Sequence, residues 1–383
     1  RKKLMKKIAI IGAGISGLFI ANLFEKNANY QITIYEKNNS INLEEGYGIQ
    51  LSVNSVKLLN QIEFGKFEND KKFNPNKVIF YSTKGLDKIC DLDITDFNSK
   101  ECKYTTLKRS DLVNFLNKNV ESLIKLNHSV SKIDQENNII RLTFENRENC
   151  ECDYLIISDG VFSKSKSLIS KNLIQPKYNN TLAIRGMIPN SKKIDSKNIS
   201  LFLGPNFHQV IYPVSQKGDL NFIAILRYKL TLEEQRNYSL FSESSFIKKV
   251  LENVPDENKT FFENIKELKI FPVFVSSDFF KTENKNIHFI GDAFFAFPPS
   301  FAQGASQSIE GAYELFESMQ NNTESEFFSK RVNKTKMVYN RSKFNQLIFH
   351  LSNPITRFFR DIFLKRLVKN KKFLENYLGK IYK

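Results

Sequence analysis

The chain has 383 residues, of which 41% are apolar and 26% charged, and it carries a formal net charge of +16 at pH 7. This length suffices for two domains, or for one elaborated α/β domain with an insertion, and the composition excludes a disordered protein. Lysine supplies 45 of the 57 cationic residues, and no nucleic-acid-binding module accompanies them. We therefore interpret most of the charge as solvated surface and predict no nucleic-acid partner.

The cysteines limit the metal and redox chemistry open to the chain. Cys90, Cys102, Cys150 and Cys152 are too few and too unevenly spaced for a disulfide framework or a four-cysteine zinc site. We therefore predict no metal centre and a cytoplasmic location. Beyond the N-terminal apolar segment, no stretch reaches the roughly 18 apolar residues of a membrane-spanning helix, so we predict none.

The N-terminal residues predict a strand, a glycine-rich turn, a helix and a second strand. Residues 6–11 (KKIAII) have the pattern of a buried parallel strand, and residues 15–26 have apolar side chains at helical spacing. Residues 31–37 (QITIYEK) form the predicted second strand. The turn contains three glycines, Gly12, Gly14 and Gly17. Their spacing allows a tight turn and a close approach of the backbone to a pyrophosphate.

Glu36 lies at the end of the predicted second strand, nineteen residues after Gly17. A carboxylate at this position is placed to accept hydrogen bonds from ribose hydroxyls. The pattern predicts a dinucleotide site, but it does not distinguish FAD from NAD(P).

The rest of the chain shows two kinds of hydrophobic pattern. Residues 105–120, 153–160 and 286–293 have patterns that suit the same α/β domain. Residues from 177 to 275 contain short alternating runs, which predict an antiparallel sheet in an inserted domain that covers the substrate. We therefore predict a dinucleotide-binding domain in two parts, residues 5–176 and residues 276–326. The inserted domain is predicted at residues 177–275, and a helical basic tail at residues 327–383.

Residues 289–312 (FIGDAFFAFPPSFAQGASQSIEGA) contain a buried strand that ends in Gly291 and Asp292. A carboxylate at the carboxyl end of a strand suits a ligand hydroxyl. The segment resembles the Gly-Asp motif of the single-component FAD-dependent aromatic hydroxylases. Three further segments resemble motifs of this family and follow in the expected order: the segment after the second strand, the Arg-containing strand-to-helix turn and the Asp-Gly motif, at 48–62, 107–116 and 153–166.

The resemblance implies an α/β fold with a Rossmann-like FAD-binding domain, an inserted antiparallel β-sheet substrate domain and a C-terminal helical tail. It implies FAD as cofactor, NADH or NADPH as co-substrate, and hydroxylation of a small aromatic substrate by O2 through a flavin C4a-hydroperoxide. Asp292 would contact the ribityl chain and Arg109 the FAD. Asp159 would belong to the motif involved in both FAD and NAD(P)H binding.

The loop after Asp292 would lie beside the flavin ring, shaped by Pro298 and Pro299. The helix that starts near Gln303, and that includes Gly304 and Ala305, would point its positive end at the anionic edge of the flavin. Phenylalanines in this segment would form a dry wall or pack in the core, namely Phe294, Phe295, Phe297 and Phe301. We assign Phe295 and Phe297 to the substrate pocket, and Phe295 stands where relatives often have histidine.

The predicted insertion contains residues 204–224 (GPNFHQVIYPVSQKGDLNFIA), which are similar to the salicylate hydroxylase branch of the family. His208 precedes Tyr212 by four residues, so both side chains share one face of a strand. We predict that His208, with a pKa near neutrality, removes the phenolic proton and that Tyr212 orients the substrate; the alternative is a hydrogen-bonded sheet histidine. Arg185 either contacts substrate or forms a structural ion pair.

The C-terminal residues 354–383 combine nine Lys or Arg with two acidic residues and have apolar side chains at helical spacing. Such a helix either docks on its own domain or lies on an anionic membrane. The membrane alternative would suit a hydroxylase of a polyprenylated quinone precursor. From a different class, a non-catalytic flavin-binding sensor would keep the same motifs. The sequence departs from the family at Lys166, where an arginine is usual, and at Gly311, where an aspartate is often found.

Overall fold

The computed structural model describes residues 5–27, 29–41, 47–136, 139–189 and 195–382. Parts of the predicted segments 5–176 and 177–275 therefore lie outside the described residues. Within the described residues the strands are β1 Lys6–Ile11, β2 Tyr30–Tyr35, β3 Gly48–Leu51, β4 Lys72–Phe73, β5 Lys77–Ser82, β6 Lys88–Asp93, β7 Thr105–Lys108, β8 Leu123–Lys125, β9 Val130–Glu136, β10 Ile139–Phe144, β11 Asn149–Cys152, β12 Tyr154–Ile157, β13 Lys177–Ile188, β14 Ile199–Gly204, β15 Phe207–Pro213, β16 Leu220–Arg227, β17 Lys266–Val275 and β18 Ile287–Phe289.

The helices include short ones that connect the strands and a long C-terminal group. In the described part of the chain, the α-helices are α1 Ile15–Glu25, α2 Val53–Leu59, α3 Arg109–Lys118, α4 Lys164–Ser170, α5 Leu232–Arg236, α6 Ser244–Leu251, α7 Asp256–Phe262, α8 Gly304–Gln320, α9 Glu324–Phe349, α10 Pro354–Leu367, α11 Lys371–Leu374 and α12 Lys380–Tyr382. Two 3₁₀ turns, Gly291–Ala293 and Pro299–Phe301, lie between β18 and α8.

A five-stranded parallel sheet forms the first layer, with the strand order β18-β12-β1-β2-β8. The central strand β1 is buried from Ile8 to Ile11. Helix α1 is buried on nearly all its faces, from Ser16 to Phe24, because it packs between this sheet and helices α3 and α8. Because consecutive residues of β1 are buried, the strand is covered on both faces, as the continuous apolar run in its sequence predicts for a parallel sheet.

The second large sheet has seven strands in the order β17-β13-β16-β15-β14-β5-β6. All its pairs are antiparallel except β14 with β5. The runs that predicted an antiparallel sheet form β13, β15 and β16. Strands β5 and β6 come from earlier in the chain than residue 177, and the predicted domain bounds stay a prediction.

The two faces of the large sheet differ in what they contact. On β15, Phe207 and Ile211 join a buried apolar cluster that includes Val250 of α6 and Phe262 of α7. The alternate residues His208 and Tyr212 point to the opposite face, because successive side chains on a strand alternate. That opposite face is the one that carries a cavity.

The C-terminal helices cover one end of the large sheet. Leu364 of α10 and Val368 pack on an apolar cluster that contains Phe80 of β5 and Leu201 of β14. The predicted helical tail is therefore observed, and it is docked on its own fold. No helix among the described residues is long and apolar enough to cross a membrane. The architecture confirms the predicted α/β class with a mainly antiparallel second sheet and C-terminal helices.

Candidate active site

Four predicted ligand-binding residues lie at one edge of the parallel sheet. Gly12 follows β1, Glu36 follows β2, Asp159 lies two residues after β12, and Asp292 lies three residues after β18. Because parallel strands direct their carboxyl ends to the same edge, these residues come together although they are far apart in sequence. This edge is the usual ligand crevice of an open parallel sheet.

The glycine-rich turn is packed on one side and open on the other. Gly12 has φ +99°, and a Cβ there would lie 2.5 Å from the carbonyl oxygen of Ser158. A Cβ at Gly17 would collide with the carbonyl oxygen of Gly12. A Cβ at Gly14 would have no atom within 4 Å. The turn therefore needs Gly12 and Gly17 for its own packing, whereas Gly14 leaves the open side accessible to a ligand at the start of α1.

Glu36 is buried beside this turn. One of its carboxylate oxygens accepts a hydrogen bond from the backbone N–H of Ala13 at 2.9 Å. The other accepts bonds from the backbone and side chain of Asn38 at 3.0 and 2.8 Å. These three bonds hold the carboxylate next to the glycine turn, in the position expected for a contact to ribose hydroxyls.

Asp292 exposes its side chain to the cavity, although protein atoms crowd around the carboxyl group. The desolvation by these atoms raises the pKa of its carboxyl to about 6, and the positive charges of Arg109 and Lys166 act in the opposite direction. Burial also lowers the pKa of the Lys166 ammonium group, against the effect of Asp159 and Asp292. The structure thus places two acidic and two basic side chains around one point at the sheet edge.

Asp159 is held by the first turn of α4 and retains one free oxygen. Its Oδ2 atom accepts a hydrogen bond from the hydroxyl of Ser165 at 2.8 Å. Its Oδ1 atom is buried and has no hydrogen-bond partner among the described residues. A buried acceptor of this kind can take a hydrogen bond from a bound group or from an ordered water.

These residues fit FAD. The open side of Gly14 suits the pyrophosphate, and Glu36 suits a ribose. Asp292 and the unpaired oxygen of Asp159 are acceptors for hydroxyl donors on the ligand. Arg109 begins helix α3 near Asp292 and adds a cation to the site.

A cavity of about 420 Å³ extends from this edge across the face of the large sheet. The loop from Pro298 to Ala305 forms one wall. The sheet contributes mainly apolar side chains to the opposite wall, including Val78, Phe80, Leu201, Val210, Ile223 and Ile225. Side chains of the C-terminal helices α9, α10 and α11 close one end of the cavity, among them Phe344, Ile348, Leu364 and Leu374. The cavity is therefore apolar over most of its surface.

His208 and Tyr212 both line the cavity, as their spacing on one strand predicted. The Nδ1 atom of His208 lies 2.7 Å from Nε2 of His350, the residue after α9. Burial and the neighbouring His350 lower the pKa of His208 well below its usual value, so the expected pKa near neutrality is not found. The sequence reasoning considered His208 without a partner, because His350 lies 142 residues away.

Tyr212 lies in a polar corner of the cavity. Burial raises the pKa of its hydroxyl, and the neighbouring Arg185 and Gln50 act in the opposite direction. Gln50 also accepts a hydrogen bond from the hydroxyl of Tyr104 at 2.7 Å. Arg185 lines the same cavity and lies 5.8 Å from the centre of the Tyr47 ring. Sequence reasoning missed Gln50 and Tyr104; Gln50 lies within a segment that resembles the family, which was the only signal for it.

The phenylalanines after Asp292 divide between the core and the cavity. Phe297 and Phe301 line the cavity. Phe294 is buried in the core beneath the parallel sheet. Phe295 belongs to the same core, where it stacks on Phe279 with ring centroids 4.5 Å apart. The structure therefore does not bring Phe295 to the wall of the large cavity, where the sequence reasoning expected it.

Helix α8 begins at Gly304, next to the cavity loop, and Gly304 and Ala305 both line the cavity. A buried ion pair between Glu310 and Arg331 fixes this helix to α9, at a distance of 3.1 Å. A Cβ at Gly311 would lie 3.0 Å from Nε of Arg331. The glycine that replaces the family's aspartate thus leaves room for the guanidinium group.

The fold and this edge define a nucleotide-binding flavoprotein of the α/β class. Comparison with known proteins gives the family: its profile, described as "FAD binding domain", matches residues 5–324. The chain belongs to this FAD-binding family.

Several relatives are hydroxylating enzymes. Salicylate hydroxylase of Pseudomonas putida is 22% identical over 82% of this chain and 76% of its own length. 6-Hydroxynicotinate 3-monooxygenase of Bordetella bronchiseptica is 23% identical over 81% of each chain. The prediction of an FAD-dependent monooxygenase of the aromatic hydroxylase class is confirmed.

Solved structures share the fold. Klebsiella pneumoniae HpxO complexed with FAD and uric acid superimposes with a TM-score of 0.79, at 15% identity, over 98% of this chain and 96% of that one. A salicylate hydroxylase substrate complex has a TM-score of 0.79, at 18% identity, over 100% of this chain and 98% of that one. At these identities the likeness concerns the fold alone.

Proposed function

We propose that this enzyme uses NADH or NADPH and O2 to hydroxylate a phenolic or other electron-rich aromatic substrate. The overall reaction consumes the aromatic compound, O2, NAD(P)H and a proton, and it yields the hydroxylated product, NAD(P)⁺ and water. The names of the relatives, which act on salicylate and 6-hydroxynicotinate, support a small hydroxylated aromatic ring as the substrate.

One observation carries this proposal. The loop that follows Asp292 and the strand that carries His208 and Tyr212 line the same cavity. A ring bound against the strand would therefore lie next to the group that Asp292 holds. FAD, when bound, supplies the electron transfer from NAD(P)H and the oxygen transfer to the ring.

The chain's own residues would orient the substrate and exclude water. Tyr212 and Arg185 can hold a polar substituent of the ring, because they share the polar corner of the cavity. The apolar sheet face and Phe297 would surround the remainder of the ring. Exclusion of water protects a reactive oxygen donor from hydrolysis and uncoupled decay.

His208 would accept a hydrogen bond from the substrate's phenolic group. The imidazole is neutral at pH 7, because burial and His350 lower its pKa. The charged form is disfavoured there, so full proton transfer to His208 is unfavourable. Hydrogen bonding to the neutral imidazole would increase electron density on the ring without requiring a buried imidazolium.

The test is an assay of protein reconstituted with FAD against a panel of phenols and hydroxylated aromatic acids. NADH and NADPH oxidation, hydroxylated product and hydrogen peroxide are each quantified. The proposal expects one compound to stimulate oxidation and to yield product in proportion to the NAD(P)H consumed. Bound FAD with no stimulation by any compound would favour the flavin-binding sensor instead, and stimulation with hydrogen peroxide alone would contradict hydroxylation of that compound.

A further inference from the structure

Helix α10 has apolar side chains on two faces. Leu364 and the following Val368 pack inward on the large sheet. Four large apolar side chains point outward, and two more are exposed on α9. These six side chains are between 47% and 66% exposed, and we call them the apolar patch: Phe344, Leu347, Ile355, Phe358, Phe359 and Phe363. Docking on the fold therefore uses only one apolar face of α10.

The apolar patch adjoins the cavity. Phe344 of α9 and Phe363 of α10 are half exposed, and both also line the cavity. The rings of Phe358 and Phe359 contact each other, with centroids 5.7 Å apart. The patch thus continues the wall that closes one end of the cavity. Exposed apolar side chains are usually scattered singly over a protein surface, whereas a contiguous group of them marks an interaction site.

The segment that carries most of the patch is strongly cationic. Residues 354–372 contain seven Lys or Arg and one acidic residue, Asp361. Asp361 pairs with the buried Arg360 at 2.8 Å. Five of the remaining cations are exposed and follow the phenylalanines in the chain, whereas Arg357 is only partly exposed. These five are the flanking cations: Lys365, Arg366, Lys369, Lys371 and Lys372.

We propose that the apolar patch docks on an anionic lipid surface, with the flanking cations on the phospholipid headgroups. Exposed phenylalanines on one face of a helix and cations beside them are the two features of an interfacial helix. A second copy of the chain is the less favourable occupant, because a symmetric interface would bring two such cationic segments together.

Docking would bring the helical end of the cavity to the lipid surface. An apolar aromatic compound dissolved in the lipid would then reach the cavity past Phe344 and Phe363. This consequence rests on the proposed function, whereas lipid binding itself does not.

The experiment measures co-sedimentation of the FAD-loaded full chain with vesicles. One set contains phosphatidylglycerol and phosphatidylcholine, and the other contains phosphatidylcholine alone. We expect binding to the anionic vesicles, with a loss of at least about tenfold in affinity for the double variant Phe358→Ser with Phe359→Ser. The charge reversal Lys365→Glu with Arg366→Glu should also lose at least about tenfold in affinity, because it replaces two attractive charges at the anionic surface by two repulsive ones.

Two matched controls keep the same chemistry at other exposed positions. Leu173→Ser with Leu232→Ser removes two exposed apolar side chains, and Lys248→Glu with Lys249→Glu reverses two adjacent charges on α6. Both controls should bind as the unmodified chain does. Retained FAD content and melting temperature establish that each variant is folded.

Four outcomes would overturn the proposal, three of them in the vesicle assay and one in the absence of vesicles. The first is no binding to the anionic vesicles. The second is equal binding to both vesicle types, and the third is loss of binding in the controls to the same extent as in the patch variants. Self-association that the patch variants abolish in the absence of vesicles would assign the patch to a second copy of the chain. Because vesicle binding and FAD content are measured without substrate, these results do not depend on the hydroxylation assay.

Discussion

Nδ1 of His208 lies 2.7 Å from Nε2 of His350. This contact joins the large sheet to the end of helix α9. Both side chains are buried. Burial lowers the pKa of His350 to about 3, and burial together with His350 lowers the pKa of His208 well below its usual value. The pair is therefore neutral in the folded protein over the whole physiological pH range.

This pair predicts acid sensitivity of the fold. In the unfolded chain both histidines bind protons below about pH 6.5, whereas in the folded chain they do not, so stability falls as the pH falls through this value. For His350 the loss between pH 6.5 and pH 5 is about 1.6 kcal/mol, and His208 acts in the same direction. Urea unfolding at a series of pH values should show this slope, and the double variant His208→Gln with His350→Gln should show a smaller one.

His128→Gln is the control for this prediction, because His128 lies outside the cavity and contacts Glu148 at 3.0 Å. It should leave the contribution of the cavity pair unchanged. The prediction is wrong if the double variant and the unmodified chain lose stability equally between pH 7 and pH 5.

The raised pKa of Asp292 predicts that removing its charge stabilises the FAD-free protein but weakens FAD binding. Since its folded pKa of about 6 exceeds the usual value of 3.8, the carboxyl is more favourable to the fold at low pH, and this contribution is lost as the pH rises from about 4 through 6. Asp292→Asn should therefore raise the melting temperature of the FAD-free protein at pH 8 and change it little at pH 4. FAD affinity, measured by flavin fluorescence, should fall about 10- to 100-fold.

Asp278→Asn removes a carboxylate at an exposed position and serves as the control. It should alter neither FAD affinity nor the pH dependence of melting. An Asp292→Asn protein that bound FAD as tightly as the unmodified chain would contradict the assigned role.

The glycine turn predicts opposite results for two similar substitutions. Gly17→Ala should destabilise the fold by about 1–3 kcal/mol, because its Cβ would collide with the carbonyl oxygen of Gly12. Gly14→Ala should keep the stability of the FAD-free protein, since its Cβ meets no atom within 4 Å, but should weaken FAD binding by at least about tenfold. Urea unfolding and FAD titration separate the two effects, and equal destabilisation by both variants would disprove the distinction.

The ion pair between Arg331 and Glu310 predicts a large effect on stability. The guanidinium group is buried and also donates to the backbone oxygen of Gln307 at 2.8 Å. Arg331→Gln leaves the buried carboxylate of Glu310 without its main partner and should cost about 3–5 kcal/mol in free energy of unfolding. The exposed pair of Arg141 with Glu151 is the comparison, and Arg141→Gln should change stability little. Similar losses in the two variants would mean that the buried pair does not fix α8 to α9.

Tyr212 predicts a change in substrate affinity under the proposed function. Tyr212→Phe should raise KM for the best phenolic substrate by about tenfold and leave the FAD content unchanged, because it removes one hydrogen bond in the polar corner. Tyr178→Phe removes a hydroxyl that donates to the backbone oxygen of Tyr228, within the apolar cluster on the other face of the sheet. This control should keep the original KM, and an unchanged KM in the Tyr212 variant would remove the residue from the substrate site.

The edge that we propose for FAD binding could be predicted because its residues follow local patterns. Gly12, Gly14 and Gly17 lie in one turn between a strand and a helix, and Glu36 and Asp292 each follow a buried strand. Once the strands are known to be parallel, their carboxyl ends must meet at one edge. The single long-range assumption was therefore the sheet itself, which the apolar runs already indicated.

The substrate side of the cavity was less predictable. Phe295 and Phe297 are two residues apart, but one packs in the core and the other lines the cavity, because the chain there lies between two 3₁₀ turns and follows neither strand nor helix periodicity. The partnership of His208 with His350 depends on how α9 ends against the large sheet. No pattern within a short window of sequence reports such a contact.

The sequence by itself indicated the family and the cofactor, through motifs that resemble those of the FAD-dependent aromatic hydroxylases. Its turns and periodicities, which depend on a few neighbouring residues, predicted the edge of the sheet at which the dinucleotide would bind. Only the tertiary structure decided which face of the large sheet carries the cavity, that a second histidine lowers the pKa of His208, and that α10 is docked with four apolar side chains still exposed. These features arise from packing between segments that are distant in the chain. Burial, which sets pKa values and exposes or covers apolar surface, is a property of that packing rather than of the local sequence.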